Sequence, residues 1–257
     1  MVKVVVVMTH FDRAYQLART LQSIGNTAHP LYEVVIVDDQ SPASPPITKY
    51  HYPIHLVRTR EKRWVNPEPA YNTGLLVALD LDPDVIVVQN AECYHVGDVV
   101  SRAAAVTPAD WLTFAAFSLD QKQTFNAFHN ISKLVAEHPH PVSTDGVLGW
   151  YNHPQHRPVG YDFCAAATRE NFQLLNGYDE RFSAGCGYGD DNLLARVRRA
   201  GLAVQFVTEP YVVHQWHYGS PPRPDKAALV QKNAQLHQLL KAEGTIKAHH
   251  KYTKDLR

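Results

Sequence analysis

Acidic side chains fall at three places where the sequence turns from apolar to polar. Asp38-Asp39 follow Val34-Val35-Ile36-Val37, and Asn90-Ala91-Glu92 follow Val85-Ile86-Val87-Val88-Gln89. Asp190-Asp191 follow the glycine-rich stretch Gly185-Cys186-Gly187-Tyr188-Gly189, and His214 and His217 trail a later apolar run, Tyr211-Val212-Val213. Carboxylates accept hydrogen bonds from ring N–H groups, bind divalent cations through oxygen and take protons from hydroxyls. Imidazoles ligate transition metals. Each cluster alone has a plainer reading: aspartates start turns, and acids at a helix N-terminus offset its dipole by about 0.3–1 kcal/mol. Their shared position just beyond an apolar run is the feature that calls for chemistry.

The elements that must position these residues read as alternating strand and helix. Val4-Val5-Val6-Val7-Met8 is a β-branched run suited to a strand covered on both faces. Asp12 is placed to cap a helix whose apolar stripe is Leu17, Leu21 and Ile24. Strands are expected at Val34 to Val37, Ile54 to Val57 and Val85 to Val88, with a helix from Ala70 to Leu81 between the last two. This order predicts an α/β fold with a mostly parallel central sheet flanked by helices, and ligands beyond the carboxyl ends of its strands. From Trp111 to Tyr161 aromatics, His and Pro are dense and periodicity is poor, so loops and short helices are expected. Phe163 to Ala167 restores a strand, and a helix starts at Asp190-Asp191 and ends at Gly201. Short strands are expected at Val204 to Val207 and Tyr211 to Val213. A last helix marked by Leu229, Leu236 and Leu240 ends at Gly244, and the polar, basic tail from Ile246 to Arg257 is expected to fray.

Composition narrows the function. The 257 residues carry 25 Lys plus Arg against 25 Asp plus Glu, so no global field draws the chain to nucleic acid. The longest apolar run, Val4 to Met8, is far below the roughly 18 residues of a membrane span. A cytoplasmic protein with no transmembrane segment is therefore expected, with peripheral membrane contact by the basic tail left open. Cys93, Cys164 and Cys186 form no CxxC pair, which argues against a disulfide framework or a thiolate zinc site. No glycine lies in Thr9-His10-Phe11-Asp12-Arg13, so neither a GxGxxG dinucleotide loop nor a glycine-rich phosphate loop follows the first strand.

Taken in order, Val7 to Arg13, Val34 to Ser41, Asn72-Thr73-Gly74, Gln89 to Glu92, Asn176 to Phe182, Gly189 to Asp191 and His214 resemble a family 2-type glycosyltransferase with a GT-A fold. The resemblance covers about residues 2 to 217 and implies a catalytic domain over 1–217. Its nucleotide-binding half would be 1–110 and its acceptor and catalytic half 111–217, with 218–257 an appended helix and tail. It implies transfer of a sugar, with inversion, from a nucleotide-sugar donor, most simply UDP-linked, to a hydroxyl of a glycan or lipid-linked acceptor. Thr9, Phe11, Arg13, Asp38, Asp39, Asn72 and Asn90 would bind the nucleotide donor; an aromatic stacks on a base and a carboxylate accepts from its N–H. The family usually offers Asp-x-Asp where this chain has Asn90 and Glu92. Glu92, with His214, would hold a divalent cation, the nitrogen ligand favouring Mn²⁺ over Mg²⁺. His217 ranks behind His214 as a ligand. Asp191 would be the base, with Asp190 touching sugar or acceptor, and Asp179 and Glu180 would support the acceptor side. Trp111, Trp150 and Trp216 are candidate sugar platforms, of which Trp150 is placed on the acceptor side. Arg60-Glu61-Lys62-Arg63-Trp64 reads as a solvated charge run that can also bring Lys62 or Arg63 to a phosphate and Trp64 to a sugar. A chain that had lost its chemistry, with Asn90 as the sign, would instead be an inactive nucleotide- or carbohydrate-binding module.

Overall fold

A run such as Val4 to Met8, with no polar side chain on either face, is stable only where both faces are covered. In the computed structural model, which describes residues 1–45, 47, 49–126, 130–138, 147–219 and 223–256, this run lies inside the sheet. The first half of the chain forms β1 (Val4–His10), α1 (Ala14–Ile24), β2 (Tyr32–Asp38), β3 (Ile54–Arg58), α2 (Glu68–Asp80), β4 (Val85–Asn90), β5 (Cys93–Val96) and α3 (Val99–Ala103). The second half forms β6 (Asp110–Ser118), α4 (Gln121–Asn126), α5 (Ile131–Glu137), β7 (Gly149–Asn152), β8 (Cys164–Thr168) and α6 (Arg169–Leu175). A 3₁₀ turn (Glu180–Ala184), α7 (Gly189–Arg199), β9 (Ala203–His214) and α8 (Lys226–Glu243) complete it.

Among the described residues these strands make one sheet in the order β3-β2-β1-β4-β8-β6-β9-β5, with β7 beside β6. β3, β2, β1 and β4 are parallel, with Val6 opposite Val34 on one side and Val87 on the other. The parallel reading holds for this half and for β6 with β9, whereas β8 runs antiparallel to both β4 and β6. The period-2 alternation of a strand sends Val4, Val6 and Met8 to the face covered by Leu17, Leu21 and Ile24 of α1. It sends Val5 and Val7 to the face covered by Leu75 of α2, Phe172 of α6 and Val197 of α7. Gly74 lets α2 lie close to that face, because a Cβ there would sit 2.6 Å from Val7 Cγ1.

Several expectations change. Trp111 to Phe117 is no loop region but the body of β6, buried on both faces; its small alanines and polar flanks hid a near-continuous apolar run. Part of the expected excursion, residues 127–129 and 139–146, lies outside the described residues. The two expected late strands are one, β9, whose pairing shifts register opposite Phe114 and Ala116. Asp12 does not cap α1: it sits in a left-handed turn (φ 51°), and Arg13 occupies the cap position without a side-chain bond. The tail does not fray, since Ala248 and Leu256 are buried and the Asn176 side chain bonds both their backbones. No helix among the described residues is long and apolar enough to cross a membrane.

Candidate active site

The carboxyl ends of β1, β2 and β4 open on one cleft of about 790 Å³. Thr9, Phe11, Arg13, Asp39, Asn90, Glu92, Asp190 and His214 all line it, together with His10, Lys62, Glu68, Tyr71, Asp162, Trp216 and His217. Residues up to 208 positions apart in sequence thus share one surface because parallel strands end on the same side of the sheet.

At one end of the cleft the chain leaves β2 in a turn that separates the adjacent aspartates. Asp38 turns away, accepting from Ser41 N (3.0 Å) and pairing with Arg58 (3.3 Å), so it shapes the turn rather than the cleft. Asp39 faces the cleft. Its oxygens accept the Trp64 indole N–H (3.1 and 3.2 Å), and Lys62 Nζ lies 2.7 Å from Oδ2. The same ammonium stands 4.4 Å above the Phe11 ring, which is otherwise open to solvent. Lys62 therefore occupies both surfaces a planar base would use, a π face and a carboxylate. Beside them His10 is buried with neither ring nitrogen partnered, and burial, outweighing the pull of Asp38, lowers its pKa.

In the middle Glu92 is 2% exposed. Its Oε1 meets Arg13 Nη1 (2.5 Å), His214 Nε2 (3.2 Å) and His217 Nε2 (3.3 Å), while Oε2 has no partner. Burial pushes this carboxyl up, but Arg13 and the two imidazoles more than reverse it, holding it well below the usual range. Burial lowers His214 more than Glu92 raises it, which keeps a lone pair on its imidazole. One anionic carboxylate with an orphan oxygen and two imidazoles within 4.8 Å of one another fit a divalent cation of borderline softness. Arg13, expected to face the donor, is here the resident counter-charge of Glu92. Asn90 Oδ1 accepts the hydroxyl of Tyr71 at 2.9 Å.

At the far end the Gly185–Gly189 loop delivers α7. Gly187 and Tyr188 adopt left-handed φ (68° and 64°), and a Cβ on Gly189 would lie 2.4 Å from Glu68 Oε1, so backbone packs directly on that acid. Asp190 is exposed and faces the cleft. Displacement of water by the surrounding protein, with the Asp162 and Asp191 carboxylates nearby, raises its pKa. Asp191 does not line the cleft; its Oδ1 accepts the Tyr161 hydroxyl at 2.8 Å. Glu68 is buried with Oε2 unpartnered, and burial, with smaller pushes from Asp190 and Asp179, lifts its carboxyl to about 8.

Other expected site residues stand outside the cleft. Asn72 bonds both backbone polar groups of Tyr178 (2.8 Å each) and Glu180 Oε1 (3.0 Å). Asp179 caps the 3₁₀ turn and pairs with Arg181 (2.7 Å). Glu180 is wholly buried against the tail. Trp111 packs on Phe172 (5.3 Å between ring centroids) and Trp150 on Phe117 (5.1 Å), the commoner fate of tryptophan. These side chains hold the scaffold, and of the three tryptophans only Trp216 reaches the cleft. Glu68, Tyr71, Asp162 and His10 escaped the sequence reading because single polar residues carry no spacing signal; the His10 position, straight after Thr9 at a strand end, was the available clue.

Fold and cleft together are those of the GT-A architecture. The chain belongs to glycosyl transferase family 2, whose model matches residues 5–172. A second model, described as the N-terminal domain of galactosyltransferase, matches residues 161–217. No curated protein matches the sequence. Among solved structures, a mannosyltransferase from Pyrobaculum calidifontis in complex with GDP-Man and Mn²⁺ is 19% identical with a TM-score of 0.54, covering 96% of this chain and 66% of its own. S. aureus TarS is 11% identical with a TM-score of 0.61, over 97% of this chain and 67% of the other. Glucosyl-3-phosphoglycerate synthase from Mycobacterium tuberculosis, in complex with Mn²⁺, UDP and phosphoglyceric acid, is 16% identical with a TM-score of 0.54, over 95% and 79%. At these identities the likeness is one of fold, and this chain spans about two thirds of the length of the first two.

Proposed function

We propose that the cleft transfers a sugar from a UDP-linked donor to a hydroxyl of a glycan or lipid-linked acceptor, with inversion and metal assistance. The observation that carries this reading is the single cleft that joins Asp39 and Phe11 at one end, Glu92 and His214 in the middle, and Asp190 at the other. The base stacks on Phe11 and bonds Asp39 after displacing Lys62, which is then free to face the diphosphate. Glu92, His214 and His217 would hold a divalent cation, Mn²⁺ before Mg²⁺, which supplies Lewis-acid stabilisation of charge on the departing diphosphate. Arg13 stands beside this group as a further positive charge.

In this reading the proton of the attacking hydroxyl goes to Asp191, which stands beside the cleft and must leave the Tyr161 hydroxyl (2.8 Å) to turn toward the acceptor. Asp190, whose pKa is raised by its protein surroundings and the neighbouring carboxylates, donates a hydrogen bond to a sugar hydroxyl instead. Inversion requires the base and the leaving diphosphate to stand on opposite faces of the sugar.

A panel of nucleotide-sugars incubated with Mn²⁺ and assayed for released UDP tests the reading. Asp191→Asn is expected to cut release by at least about a hundredfold with UDP affinity retained, and Asp190→Asn to keep part of the activity because an amide also donates. The reverse order would move the base to Asp190. Tight UDP binding with no release from any donor, by the unmodified protein, is the mark of an inactive binding module.

A further inference from the structure

The tail beyond α8 lies outside both family matches, yet it is held in place by buried polar groups. Glu180 Oε2 accepts the backbone N–H groups of Lys251 (2.6 Å), Tyr252 and Thr253 (3.3 Å). Its Oε1 takes the Thr253 hydroxyl and the Asn72 amide (3.0 Å). Successive backbone N–H groups closing on one carboxylate form an anion nest, an anchor to which the Thr253 hydroxyl is the one tail side chain that adds a bond. Asn176 ties the tail on either side of this nest, through Ala248 O (2.9 Å) and Leu256 N (2.7 Å).

The nest fixes where Tyr252 stands. Its ring lies 5.5 Å from that of Trp64, tilted by 58°. Trp64 is held from the other side as well, since Val65 N and Asn66 N both donate to Ser183 O (2.7 and 3.3 Å). The indole N–H, so placed, bridges both oxygens of Asp39 and sets the plane of that carboxylate. A carboxylate already fixed in plane loses less freedom when a base binds to it than one free to rotate.

We propose that Tyr252 and Trp64 are positioning residues for nucleobase recognition, so that the C-terminal tail forms part of the donor site. The inference rests on the nucleotide-donor reading above. Glu180 is then not an acceptor-side residue but the anchor of this support, and the route runs from Glu180 through the tail backbone, Tyr252 and Trp64 to Asp39.

Calorimetric titration with UDP and with inorganic pyrophosphate, both in Mn²⁺, separates base recognition from diphosphate binding. Trp64→Phe keeps the ring packing and removes the N–H; Tyr252→Ala removes the support; Tyr252→Phe replaces it. The expected result is UDP affinity about tenfold weaker in Trp64→Phe and Tyr252→Ala, restored in Tyr252→Phe, with pyrophosphate affinity unmoved throughout. Should Tyr252→Ala fail to fold, Trp64→Phe carries the test. Equal losses for UDP and pyrophosphate would reduce the tail to a structural role and overturn the proposal. So would unchanged UDP binding in both variants while Asp39→Asn weakens it. If Asp39→Asn also leaves UDP binding intact, the nucleotide reading itself fails and the inference with it.

Discussion

Replacing Glu68 by glutamine keeps the shape of a buried acid and removes its titration. Glu68 opens α2, is 4% exposed and leaves Oε2 without a partner. Burial lifts its carboxyl from the ordinary 4.5 to about 8, against weaker help from its own backbone and Asn66. The folded chain therefore keeps a proton that the unfolded chain releases near pH 4.5. Stability tied to that proton is fully present below about pH 4.5 and is lost as pH rises toward 8. At about 1.4 kcal/mol per pH unit, the loss reaches about 3 kcal/mol by pH 7. Urea unfolding at pH 5, 6, 7 and 8, followed by tryptophan fluorescence, measures it. Asp162 and Asp190 titrate in both proteins, so the difference reports Glu68 together with its smaller coupling to Asp190. The two proteins should differ by less than about 1 kcal/mol at pH 5, with the glutamine variant more stable by about 3 kcal/mol at pH 7. Parallel stability curves from pH 5 to 8 would show that Glu68 ionises normally and that its burial has been misjudged.

Glu92→Ala should bring the ratio of UDP affinities with and without Mn²⁺ to about one, read by titration calorimetry; a persisting Mn²⁺ gain would place the cation elsewhere. Lys62→Met should tighten uridine binding about fivefold, the worth of about 1 kcal/mol for a part-exposed ion pair and a cation–π contact that the base must displace. Uridine carries no phosphate for Lys62 to attract, so unchanged or weaker binding would mean that Lys62 does not stand where the base docks.

The parallel half of the sheet was readable because β1, β2 and β4 are apolar on both faces, and no other element accepts such runs. Their polar ends, Asp39 and Glu92, came together as expected, since parallel strands in register must end side by side. β6 was missed because Trp111 to Phe117 mixes small and large apolar residues and borders a stretch dense in His and Pro. Trp150 reads as a sugar platform by residue type, but its contacts with Phe117 and Tyr211 depend on strands distant in sequence. The tail looked loose because composition reports side chains, whereas Glu180 grips backbone N–H groups that any sequence supplies. Glu68 and Asp162 acquire their surroundings from α7, more than 25 residues away at the nearest, which no local pattern encodes.

Crystals soaked with UDP and MnCl₂, measured at the manganese absorption edge, put the donor site itself to the test. The account predicts an anomalous peak in contact with Glu92 and His214, and a uracil ring lying on Phe11 with its N–H toward Asp39. A peak away from Glu92, or a uracil bound outside the Phe11–Asp39 corner, would contradict it.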